Sequence, residues 1–217
     1  MSERAALLVI DVQNGFISER GELPVPEGGE VVPLINALLT LFPVRVATQD
    51  WHPRNHGSFA SQHPGAKPFD VGTLGGLPQT FWPDHCVQGT RGAEFHPALD
   101  QTRIQAVIRK GYDPMTDSYS GFSDNAGRNP TGLEGYLRSR GVDRVYLAGL
   151  ALDYCVRWSA LDAKRLLPEV SVFVVVDATR PVDPNSGAKA LRELDQAGVR
   201  IVRSDEVHAG IGRASAV

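Results

Sequence analysis

A chain of 217 residues is long for one domain and short for two, so a single α/β domain spanning 1–217 is expected. Hydrophobic residues make up 42% and charged residues 22%, while a net charge of -3 leaves no basic block for phosphates and excludes a nucleic-acid binder. The absence of any run near about 18 apolar residues argues against a membrane span, and two cysteines, Cys86 and Cys155, make no disulfide framework.

The start, MSERAALLVIDVQ, carries too short an apolar run for a signal peptide, so a soluble protein of the reducing cytoplasm is expected. Ala5–Ile10 reads as a first, buried strand. An apolar helix follows over 31–42; Gly28 and Gly29 loosen its entry and Pro33 suits its first turn. Residues 44–48 give a second strand and 104–109 a weaker third. A helix over 131–140 stops at Gly141, and 144–148 is a fourth strand. Helical spacing over 153–167, with Val156, Ala160, Ala163 and Leu167 on one face, ends at Pro168. A strand at 170–176, a helix at 185–197 and a strand at 199–202 complete the alternation. Strands alternating with helices predict a parallel sheet covered on both faces.

Residues 50–103 interrupt this rhythm. The stretch is rich in Gly, Pro and His, has little periodicity, and predicts a long binding loop or lid. No repeat or linker divides the chain.

Reactive side chains fall where parallel sheets bind ligands, beyond the carboxyl ends of strands. Asp11 ends the first predicted strand, Asp50 follows the second, Lys110 the third, and Cys155 lies just past the fourth where a helix begins. A helix N-terminus and a nearby ammonium favour thiolate, and a carboxylate can take the thiol proton. A cysteine standing alone is most often a small core residue, and Asp11 or Lys110 alone could cap a turn or sit in solvent. Their shared placement is what recommends Asp11, Lys110 and Cys155 as a nucleophile set.

The segment TQDWHPRNHGSFASQH holds His52, His56 and His63 behind Asp50. In extended chain Asp50 and His52 point the same way, which makes half of a metal site. The third ligand could be His85, in FWPDHCVQGT, or His56; zinc, iron and manganese all suit such a set. His63 and His96 precede Pro and read as turn residues, His208 reads as surface, and Cys86 as buried packing. Asp177 and Thr179 read as turn and cap residues beyond a strand.

With these residues in view, the chain resembles the nicotinamidases, members of the isochorismatase-like cysteine hydrolases. The resemblance runs through LLVIDVQNGF, VATQDWHPRNHGSFA, GLPQTFWPDHCVQGTRGAEFHP, VIRKGYDPMTDSYSGF and VYLAGLALDYCVRWSALDA. It implies a three-layer α/β/α fold with a six-stranded, mainly parallel sheet. It also implies a catalytic triad of Asp11, Lys110 and Cys155, and metal ligands at Asp50, His52 and His85. His56 matches a ligand of some members, and Ser58 a position that approaches the metal through water in others. Phe16 and Trp82 match aromatics that flank the substrate ring; core packing is the plainer role for both. The resemblance further implies a cis peptide between Leu150 and Ala151 beside the substrate, with the backbone N–H groups of Ala151 and Cys155 as the oxyanion hole.

The wider superfamily keeps the triad but often lacks the DWH and WPDHC motifs, which separate nicotinamidases from isochorismatases and N-carbamoyl amide hydrolases. The implied activity is hydrolysis of nicotinamide, and of pyrazinamide, to the acid and ammonia in NAD salvage. One divalent metal, no organic cofactor and a small-molecule partner are expected; the oligomeric state is left open. The alternatives are a metal-hydroxide amidohydrolase with a structural Cys155, a non-catalytic binding module on the same fold, and another amide or isochorismate hydrolase of the superfamily.

Overall fold

The computed structural model describes residues 4–17 and 19–211, with side chains through 207. In chain order the elements are β1 (Ala5–Ile10), α1 (Asn14–Ile17), α2 (Val31–Leu39), β2 (Val44–Asp50) and a hairpin of β3 (Val71–Leu74) and β4 (Leu77–Thr80). They continue with β5 (Ala106–Lys110), α3 (Leu133–Ser139), β6 (Arg144–Leu150) and α4 (Arg157–Leu166). Last come β7 (Ser171–Arg180), α5 (Pro184–Gln196), β8 (Arg200–Val202) and α6 (Ser204–Ile211).

Six strands form one sheet in the order β5-β2-β1-β6-β7-β8, and every pairing is parallel. Chain order reverses between β1 and β6, the switch point where such sheets open a crevice. β1 explains its own unbroken apolar run. Ala5, Leu7 and Val9 pack with Ile35, Leu38 and Leu39 of α2 on one face. Ala6, Leu8 and Ile10 pack with Leu133 of α3, Ala160 of α4 and Leu194 of α5 on the other. Side chains alternate across a strand, so a central strand covered on both faces has no polar position. This is the three-layer α/β/α architecture expected.

Several boundaries differ from expectation. β2 runs on to Asp50 and β5 to Lys110, so both residues are the last of their strands rather than following them. β7 extends to Arg180, because after a bulge Thr179 and Arg180 pair with Gly149 and Leu150. Asp177 and Thr179 therefore lie inside a strand. Asp177 still caps, accepting from the Ser204 N–H at 2.8 Å where α6 begins. Gly28 and Gly29 form a 3-10 turn that leads into α2. The 50–103 segment is not structureless: it holds the β3–β4 hairpin, turned at Gly75 and Gly76, both at positive φ. The helix expected from 153 starts as a π-helical turn over Leu152–Val156 before α4 begins.

Candidate active site

Asp11, just beyond β1, holds a left-handed backbone with φ 48°. The neighbouring strand passes very close: a Cβ at Gly149 would lie 2.1 Å from the Ile10 carbonyl oxygen, so only glycine fits. Thr48 fixes the Asp11 side chain, donating from Oγ1 to Oδ1 at 2.6 Å and accepting from the Asp11 N–H at 3.1 Å. The other oxygen, Oδ2, receives no aligned hydrogen bond and lies in ion-pair contact with Lys110 Nζ at 3.0 Å. Lys110 Nζ is also 3.4 Å from Cys155 Sγ, 3.0 Å from the Ser118 carbonyl and 2.5 Å from Asp50 Oδ1. All four reactive residues are buried.

Burial dominates the electrostatics here. It pushes the Cys155 thiol well above its ordinary range, and Lys110 only partly offsets it, so the lowered thiol expected from a helix N-terminus is not what the resting site holds. Burial likewise raises the Asp11 carboxyl, against the pull of Lys110. Burial would lower Lys110, but Asp11 and Asp50 raise it well above the usual lysine value. The arrangement is a carboxyl and a thiol, both pushed up by burial, sharing one fixed ammonium. That suits transfer of a proton from sulfur to Asp11 within the site.

The second cluster begins at the far oxygen of Asp50. Gln13 clasps the Asp50 backbone, accepting its N–H at 2.8 Å and donating to its carbonyl at 2.9 Å. Asp50 Oδ2 lies 3.7 Å from His52 Nε2 and 3.9 Å from His85 Nε2. The opposite nitrogens are engaged: His52 Nδ1 with the Gly111 carbonyl at 2.7 Å, His85 Nδ1 with the Pro83 carbonyl at 2.8 Å. A carbonyl accepts only, so each Nδ1 carries a hydrogen, and Nε2 of neutral His85 presents a lone pair. Burial would lower the His52 pKa but Asp50 raises it, so His52 Nε2 presents a lone pair once its proton is displaced. His56 Nδ1 is 2.7 Å from Ser58 Oγ, and its Nε2 is buried with no partner. Phe59, fully buried, packs its ring 5.5 Å from His52 and 5.6 Å from His56 and His85. Burial depresses His56 and His85 to about 4, which keeps both neutral and able to ligate. Lys110 and His52 overcome the burial of Asp50 and hold its carboxyl well below the usual range. One reactive atom each from Asp50, His52 and His85 fall within 4.8 Å of one another. Two imidazoles held neutral, an ionised carboxylate and an orphaned nitrogen fit a divalent metal. So does the third imidazole, His52, which Asp50 raises above its ordinary value and which gives up its proton on binding a cation.

One cavity is lined by both clusters, by Asp50, His52 and His85 and by Cys155. Phe16, Trp82 and Ala151 line it; Leu150 does not, and packs instead in the core beneath α2. The Leu150–Ala151 peptide is cis. Ser58 is buried behind His56 rather than lining the cavity. His63 bonds the Gly57 carbonyl through Nε2 at 2.8 Å and stacks on Phe81, apart from the cluster. His96 closes a turn through its backbone with Leu99. Cys86 is fully buried in the apolar core. The His208 side chain lies outside the described residues.

Residues 5–206 match the Isochorismatase domain family. The chain belongs to the isochorismatase family. Within it, the chain is 45% identical over 207 residues to a nicotinamidase of Acinetobacter baylyi, covering 95% of each. Among solved structures, it superposes on a nicotinamidase pyrazinamidease of Acinetobacter baumanii with TM-score 0.90 and 44% identity, covering 94% of this chain and 98% of that one. A protein of L. infantum in complex with nicotinate matches with TM-score 0.82 and 39% identity, covering 94% and 95%. Among the described residues no helix is long and apolar enough to cross a membrane.

Isochorismatase-family membership leaves part of this cavity unanticipated. Tyr119, Tyr154, Val182 and Asp117 also line it. Tyr119 accepts from Trp82 Nε1 at 3.2 Å and from Gln79 Nε2 at 3.3 Å, which ties the β4 strand to the cavity wall. Tyr154 carried a signal, since it precedes Cys155 in the turn. Asp117 carried none: it sits in irregular chain between β5 and α3.

Proposed function

We propose that this chain hydrolyses nicotinamide to nicotinate and ammonia, and accepts pyrazinamide as an analogue. The observation that carries the reading is the Lys110 ammonium, 3.0 Å from Asp11, 3.4 Å from Cys155 and 2.5 Å from Asp50. The names of the similar proteins support the choice of substrate.

Asp11 takes the proton of Cys155, and Lys110 stabilises the resulting thiolate. The sulfur adds to the carboxamide carbon, and the backbone N–H groups of Ala151 and Cys155 hold the oxyanion. Asp11 returns the proton to the departing nitrogen, and ammonia leaves a thioester on Cys155. Asp11 then draws a proton from water, which hydrolyses the thioester and frees nicotinate and the thiol. Asp50, His52 and His85 would hold the divalent ion, zinc, iron or manganese, with His56 adjoining. Such an ion would supply Lewis-acid chemistry to the substrate ring. Phe16 and Trp82 flank the ring and restrict it to an orientation that presents the amide to sulfur. No organic cofactor enters. The acid formed would return to pyridine nucleotide synthesis.

Ammonia release from nicotinamide tests the substrate, and Cys155→Ala is expected to abolish it while retaining metal. Rapid quenching and mass spectrometry should find a nicotinoyl adduct on Cys155. Turnover without the adduct, or substantial activity in the variant, would favour the metal-hydroxide route instead.

A further inference from the structure

We propose that Asp117 is the second carboxylate of the cation site and sets its affinity for a divalent ion. The inference rests on the functional reading in one respect, that Asp50, His52 and His85 bind such an ion.

Asp117 is only 4% exposed and faces the same cavity. One reactive atom each from His52, His56 and Asp117 lie within 4.8 Å of one another, as do those of Asp50, His52 and His85. His52 belongs to both groups. Its Nδ1 is engaged by Gly111, so it offers one nitrogen, and the two groups are two sides of one site. On the Asp117 side stands His56, fully buried, whose Nε2 has no partner.

Charge decides the role. Asp117 Oδ1 accepts from the Ser118 N–H and Oδ2 from Gln79 Nε2, each at 2.8 Å; both donors are neutral. Asp50 already pairs with Lys110, and Lys110 also serves Asp11. Asp11 and Cys155 together carry one negative charge in the reactive state, whichever holds the proton. With Asp50 and Asp117 that makes three buried negative charges against the Lys110 ammonium and whatever proton His52 holds, and a cation bound at His52 displaces that proton. An uncompensated buried charge is costly, and one divalent ion restores neutrality. Asp50 alone would not, because its charge is spent on Lys110.

The test uses the full-length chain stripped of metal and titrated with zinc and with manganese against a chelator. D117N keeps the shape of the side chain and is expected to weaken both affinities about 10–100-fold. The D117N side chain keeps the Ser118 bond through its oxygen and meets Gln79 through its amide, which a turn of the Gln79 amide accommodates. Without metal, D117N should then melt at or above the wild-type temperature, because it removes an unbalanced charge. A merely structural Asp117 reverses both signs, giving lower metal-free melting and unchanged affinity. Unchanged affinity in D117N beside lost affinity in D50N overturns this inference and leaves the functional reading intact. A wild-type chain that binds neither ion overturns both. A metal-free D117N that melts well below wild type, or fails to fold, also overturns the role of Asp117.

Discussion

Lys110 contacts Asp50 through the one carboxylate oxygen that the imidazoles do not face. Nζ lies 2.5 Å from Oδ1, while Oδ2 of the same group lies 3.7 Å from His52 and 3.9 Å from His85. The nucleophile cluster and the imidazole cluster therefore meet on a single side chain. Lys110→Met would strand two buried carboxylates at once. We expect a loss of about 3–5 kcal/mol in urea denaturation, the usual cost of breaking a buried pair, along with all turnover. An unchanged unfolding midpoint would mean that Lys110 does not offset these charges.

Asp11 sets the acid limb of activity. It must be ionised to take the thiol proton, and burial raises its carboxyl above the ordinary aspartate value of about 3.9. The fall of kcat/KM on the acid side should therefore centre above that value. The sign for stability is opposite. Native Asp11 holds its proton more tightly than the unfolded chain does, so its contribution is full at low pH and fades as pH rises through the native value. An acid limb at or below about 4 would remove Asp11 as the base.

Thr48→Val deletes the 2.6 Å bond to Asp11 Oδ1 and leaves the Asp11 N–H without its acceptor. Stability should fall by about 1–3 kcal/mol, the cost of an unsatisfied buried group. The Thr48 hydroxyl also favours ionised Asp11, so its loss should move the acid limb of kcat/KM to higher pH. Thr48→Ser should restore both. A Val variant with an unshifted profile would show that Thr48 does not tune the carboxylate.

Gly111→Ala tests how His52 is held. Gly111 has φ +67°, and a Cβ there would come 2.3 Å from His52 Cε1 and 2.6 Å from Nδ1. The imidazole must move. Metal analysis of the purified variant should show sub-stoichiometric metal, even where the melting curve stays cooperative. Full occupancy would count against His52 as a ligand.

The residues that could be read from sequence were those with period or position. β1 is found to the residue because six consecutive buried positions on a doubly covered strand leave no ambiguity. The end of β7 is lost because Asp177, Thr179 and Arg180 look like turn residues, yet the sheet pairs them after a bulge. The hairpin around Gly75 and Gly76 carried a local turn signal that the surrounding Gly and Pro obscured. The placement of Asp11, Asp50, Lys110 and Cys155 followed from strand ends alone. The third imidazole did not: spacing left His85 and His56 both open, and the structure sets both around His52. Asp117 and Gln13 were illegible for another reason. Each acts through a tertiary contact with chain at least 37 positions away, and nothing local marks such a residue.

Phe59 touches all three imidazoles of the second cluster with one ring. A hub of that kind makes the ligand set fail as a whole. On heating, or as substitutions accumulate in the loop that carries it, metal occupancy should disappear in one step, not ligand by ligand. A chain of this family that had lost the ring would then keep its nucleophile and its fold while parting with its metal.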